Sequence, residues 1–133
     1  VINVENEVFS TVATALRATV TGIFVSGEYV AAPSTFPAVT LVEDDNAVYQ
    51  RSMDSSHTEN HAAIMYTVNA YSNKTSGKKA ECKAILAVID QQMQDMGFVR
   101  VNANPVEMAQ ASIYRMIARY RAVISKEKLV YRR

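Results

Sequence analysis

Within KKAECKAILAVIDQQMQDMG, positions 78–97, apolar residues recur at Cys82, Ile85, Leu86, Ile89, Met93 and Met96. That three-and-four spacing lays one stripe along an α-helix, with Lys79, Lys83, Asp90, Gln91, Gln94 and Asp95 on much of the opposite side. Gly97 follows the last stripe residue, where a left-handed residue closes a helix without a Cβ penalty. Such a stripe needs an apolar partner, and alternating segments flank it on both sides. Burying five or six of these side chains, at roughly 1.5–3 kcal/mol each, supplies most of one helix's docking energy. The helix is expected to close a small sheet.

A second helix is expected near the start, where Val4, Val8, Val12, Leu16 and Val20 fall four apart. Asn3 is its expected N-cap, Glu5 and Glu7 suit the positive end of its dipole, and Arg17 suits the other end. Val, Thr and Phe are indifferent helix formers, so packing must stabilise it. Gly22 marks its end.

The remaining segments alternate. A short extended piece and a loop lead to FPAVTLVEDD, in which Val39 and Leu41 alternate with Thr40 and Val42. This strand is expected to end in a turn formed by Glu43, Asp44, Asp45 and Asn46. Residues 48–53 and 62–72 read as two arms of a hairpin, with the polar stretch DSSHTENH as a long tip between them. In the second arm Ile64, Tyr66, Val68 and Ala70 share one face, and Met65, Thr67, Asn69 and Tyr71 the other. After Gly97 a short strand over 98–101 should end at the NANP turn. The last strand covers 111–124, with Tyr114, Met116, Ala118, Tyr120, Ala122 and Ile124 as a continuous apolar face. Its other face carries Ile113, Arg115, Ile117, Arg119, Arg121 and Val123. Met, Ala and Arg also favour helices, but the two-residue alternation here is cleaner than any 3.6-residue register.

This order predicts an α+β fold, an antiparallel β-sheet with two α-helices packed on one face and a long β-hairpin arm. The 133 residues suit one domain, 1–133, with the arm at about 47–62 and a basic tail at 125–133. The second sheet face, mixing arginines with Ile, Val and Met, is too apolar to be fully at ease in water.

Composition narrows the function classes. A hydrophobic fraction of 49% and a charged fraction of 20% argue against wholesale disorder. A formal net charge of +1 argues against a dedicated nucleic-acid or membrane-surface binder. No run approaches the ~20 apolar residues of a membrane span, and the N-terminal residues lack a signal peptide's basic start and apolar block. The expectation is a soluble, reducing compartment and no membrane partner. The chain begins at Val1, consistent with an initiator Met removed or left out of this numbering. The single cysteine, Cys82, lies on the helix stripe and reads as a small buried hydrophobe.

Candidate chemistry is sparse. His57 and His61 bracket Glu59, but HTENH lacks the HExxH order that places a base beside zinc. Ser55 and Ser56 adjoin His57 without a nucleophile elbow. The acids at 43–45 lack the spacing and glycine of a calcium loop, and the four glycines build no phosphate cradle. No catalytic, metal-binding or cofactor-binding residue is assigned, and no enzyme activity is expected. On the arginine strand the interleaved tyrosines point to the opposite face, so bases could not stack beside the cations. Arg115, Arg119 and Arg121 form either a solvated sheet face or a subunit interface.

The run from YTVNAYSN through the helix ending in MGF, then Arg100, the Asn104-Pro105 turn and the strand with Tyr114-Arg115 and Arg119-Tyr120, resembles the tail-terminator (tail-completion) proteins of long-tailed bacteriophages. FPAV at 36–39 fits the strand that opens that family's sheet, so the likeness spans most of 36–124. The pattern is diffuse and has no catalytic signature. It implies a structural virion protein in the tail or neck, assembled in the host bacterial cytoplasm. Such a protein forms a homo-oligomeric ring, usually a homohexamer, on the head-proximal end of the tail tube. The ring ends tube polymerisation and joins the tube protein to the head–tail connector or neck protein. Double-stranded DNA passes through its central channel without being read.

A closed ring needs two different patches repeated around an axis. Met65, Thr67, Asn69, Arg115, Arg119 and Arg121 are the candidate subunit interface. Arg51, Asp54, His57, Glu59 and His61 are the candidate arm contacting the tube or a neighbour, and Glu43, Asp44 and Asp45 would suit a DNA-facing lumen. Alternatives are another head–tail joining protein (head closure or neck), a tail tube subunit, a small enzyme on a ferredoxin-like sandwich, and a host-directed adaptor.

Overall fold

The computed structural model describes residues 4–28, 33, 35–48, 61–108 and 112–125. The elements are α1 (Glu5–Thr19), β1 (Phe24–Ser26), β2 (Ala38–Val48), β3 (His61–Ser72), α2 (Lys78–Asp95), β4 (Val99–Val106) and β5 (Tyr114–Ser125). They form one five-stranded sheet in the order β1-β2-β3-β5-β4. All neighbours are antiparallel except β1, which runs parallel to β2. The α+β architecture expected from the alternation is present, with this one parallel edge as a departure. Of the arm at about 47–62, positions 49–60 lie outside the described residues; at its base Ala47 pairs with Ala63 and Val48 with Ala62.

Period-two patterning sorts the sheet into two faces. Val39 and Leu41 of β2, Ile64, Tyr66, Val68 and Ala70 of β3, and Met116, Ala118, Tyr120 and Ile124 of β5 are buried in one core with the helices. The α2 stripe inserts Cys82, Ile85, Leu86, Ile89 and Met93 over β3, β5 and β4. Val8, Val12, Ala13 and Leu16 of α1 pack beside it, and Phe9 reaches toward Gly27 and the β1–β2 side.

Local chemistry fixes the ends. Gly97, at φ +91°, lets its own N–H reach the Gln94 carbonyl at 2.8 Å while the Phe98 N–H reaches that of Met93 at 2.8 Å. This is the Schellman closure, with Met93 and Phe98, the residues bonded across it, both buried in the core. The α1 N-cap is Val4, without a side-chain cap bond, rather than Asn3. Packing of Val4 and Val8 therefore replaces a polar cap at that end.

Two expected turns are strand. Glu43, Asp44, Asp45 and Asn46 do not end β2, which continues to Val48 through a bulge between Glu43 and Asp45. The bulge absorbs one extra residue and swaps the faces of the positions beyond it, so acids fit within a paired strand. Likewise NANP lies inside β4, which takes a bulge between Arg100 and Asn102 and keeps pairing to Val106. Pro105 is tolerated there because β4 is the outer strand.

Candidate assembly surface

The sheet face opposite the helices collects the residues singled out as a subunit interface. Thr67 pairs with Arg119, Met65 with Arg121, and Tyr71 with Arg115 across β3 and β5. β4 extends this face by setting Val99 beside Arg121, Asn102 beside Arg119 and Val106 beside Arg115. Six positions scattered over 57 residues of sequence thus lie on one surface.

They divide into two groups. The Arg115 Nε donates to Asn69 Oδ1 at 2.9 Å, and its guanidinium carbon sits 5.5 Å from the Tyr71 ring centroid. Asn69 and Tyr71 are buried, as are Ala38 and Thr40 opposite them on β2. In this corner Arg115 is fixed by a hydrogen bond and a cation–π contact, while the buried Thr40 hydroxyl has no hydrogen-bond partner among the described residues. Toward β4 the face opens. Arg121 and Val99 are exposed, the latter at 59%, while Arg119, Thr67 and Met65 are half-buried. Neither Arg119 nor Arg121 has an ion pair among the described residues.

The candidate lumen acids do not form one cluster. Glu43 lies on the helix-covered face beside Tyr66, Asp44 occupies the bulge, and Asp45 pairs with Met65 on the open face. Burial and the nearby Glu5 carboxylate raise the Glu43 pKa above its ordinary 4.5, with Asn46 opposing the shift. The folded chain therefore holds this proton more tightly than the unfolded chain, and stability falls as pH rises through the window just above 4.5. Glu43→Gln is expected to raise the melting temperature at pH 7, with the gap closing below pH 4.5. A gap independent of pH would mean another cause.

Of the candidate arm, Arg51, Asp54, His57 and Glu59 lie outside the described residues, as do Ser55 and Ser56; His61 opens β3 opposite Ser125. The basic tail beyond Ser125 also lies outside them. Among the described residues no group of three His, Cys, Asp or Glu could hold a metal ion. Cys82 is buried, with its sulfur 3.5 Å from the carbonyl oxygens of both Ala70 and Tyr114. Burial pushes its thiol up to about 12, the opposite of an activated nucleophile. Among the described residues no helix is long and apolar enough to cross a membrane.

A polar cluster between α2 and the sheet escaped the sequence reading. The buried Tyr120 hydroxyl donates to Asp90 Oδ1 at 3.0 Å, and Arg100 reaches the same oxygen at 3.4 Å. Gln94 donates to the other carboxylate oxygen at 2.8 Å. A tyrosine on a core-facing strand position needs a hydrogen-bond partner, and that requirement was the available signal. Asp90→Ala should cost about 1–3 kcal/mol in urea unfolding, because it strands a buried hydroxyl. Tyr120→Phe, which removes donor and demand together, should cost less; equal losses would mean that the stranded hydroxyl is not the cause.

No protein-family model and no curated protein sequence matches the chain. Among solved structures, a chain from the virion of the native gene transfer agent (GTA) particle is similar in fold. The TM-score is 0.60 with 16% sequence identity, and the likeness covers 91% of this chain and 91% of that one. At this identity the likeness is one of fold.

Proposed function

We propose that this protein is a structural virion component that caps the head-proximal end of a phage tail tube as a ring of six copies. It ends tube polymerisation, joins the tube protein to the head–tail connector or neck protein, and leaves a central channel for double-stranded DNA. It acts in the tail or neck of the virion, without enzymatic activity, after assembly in the bacterial cytoplasm. The observation that carries this reading is the likeness over 91% of the chain to a virion-particle chain. The half-apolar, cationic sheet face of Met65, Thr67, Arg119, Arg121 and Val99 supports it as a surface that association would cover. Asp44 and Asp45, exposed at the β2 bulge, are the lumen candidates best placed to meet a channel.

Native mass spectrometry with negative-stain microscopy of the purified protein tests the reading. Closed rings of uniform copy number are expected. Open filaments would identify a tube subunit instead, and a monomer at every concentration would overturn the proposal.

A further inference from the structure

On the helix-covered side, where the first turn of α1 overhangs β1 and β2, lies a cleft of about 490 Å³. Phe9 and Leu41 supply apolar walls, and Glu5 and Glu28 stand at it. The Tyr66 ring is fixed edge-on against Phe98, 5.7 Å between centroids, and its hydroxyl is buried without a hydrogen-bond partner among the described residues. That hydroxyl also lies in the field of Glu43, Glu5 and Glu7. Glu5 and Glu7 offset the positive pole of α1, so Glu28 leaves the cleft net negative, with Glu43 acting on Tyr66 from the neighbouring β2 position. A hydroxyl without a partner beside carboxylates suits a cationic N–H donor, since a phenol oxygen accepts from an N–H while carboxylates neutralise the charge. The carboxylates are not grouped to chelate a metal.

We infer that this cleft receives Arg121 of a neighbouring copy of the same chain, making it the complementary patch of a head-to-tail interface. Arg121 is exposed and has no ion pair among the described residues, and Val99 beside it is 59% exposed. A cation next to an apolar side chain thus matches a hydroxyl and carboxylates next to Phe9 and Leu41. Arginine fits better than lysine because its planar fork can reach the hydroxyl and a carboxylate together. The two patches are different surfaces, on opposite faces and toward opposite edges of the sheet, so the contact is heterologous, the kind that forms a ring when its rotation closes. The inference rests on the ring reading and names the contact that closes the ring.

Glu28→Arg and Arg121→Glu, each alone, should weaken association at least tenfold in native mass spectrometry or analytical ultracentrifugation. The double swap should recover much of the loss. Tyr66→Phe should weaken association by about tenfold without lowering the monomer's melting temperature, because the lost hydroxyl has no partner among the described residues. If the wild type assembles and Glu28→Arg assembles equally well, or the double swap is no better than either single change, the cleft is not the partner patch. The ring itself then stands. A wild type monomeric at every concentration overturns both.

Discussion

Arg119→Glu is expected to raise the dissociation constant of the assembled protein roughly thirty- to a thousandfold, with the melting temperature of the isolated chain unchanged or slightly higher. The range corresponds to about 2–4 kcal/mol, the scale for losing a desolvated charge contact and installing repulsion in its place. The two effects separate because of where Arg119 sits. It is half-buried on the open face between Thr67 and Asn102, and it makes no ion pair among the described residues. Arg121 lies two residues along the same strand and face, so a carboxylate at position 119 trades like-charge repulsion for attraction within the monomer. Sedimentation velocity beside thermal melting reads both quantities. Unaltered assembly by this variant would remove the arginine face from the interface.

Ile85→Ala is expected to destabilise the fold by about 2–5 kcal/mol, a melting-temperature drop on the order of 10 °C in a chain of this size. Ile85 is fully buried on the α2 stripe, in the same cluster as Val12, Leu16, Val68 and Ala118. Truncation removes three carbons from a layer bounded by a second helix and the central strands, which cannot collapse into the space independently. Ile85→Leu keeps the volume and should cost less than about 1.5 kcal/mol. Guanidinium unfolding of both variants checks this. Equal, small losses would mean that the helix–sheet interface repacks freely and that α2 does not anchor the fold.

Periodicity exposed the elements wherever one face of a segment is buried. The α2 stripe, its Gly97 closure and the alternation of β3 and β5 all follow from residues that must choose between core and solvent. The faces of β3 and β5 were legible for the same reason, so the candidate interface residues fall on one surface. The bulges in β2 and β4 were hidden because acids, Asn and Pro signal turns locally, whereas tertiary pairing held them in strands. The parallel β1 was also hidden, since three residues carry too little pattern to fix a direction. Contacts between distant residues, such as Arg115 with Asn69 or Tyr120 with Asp90, depend on register, which only folding supplies.

The sheet ends on one side in the three residues of β1 and on the other in β4, which kinks at Val101 and places a residue without an N–H at Pro105. β1 covers β2 only at Ala38–Thr40, and the bulge between Glu43 and Asp45 breaks the stretch of β2 that it leaves uncovered, so both margins carry an interruption to regular pairing with another chain. Copies held at high local concentration are thereby steered away from zipping strand to strand into runaway fibrils. Recognition is left to side chains, whose geometry can count copies and stop.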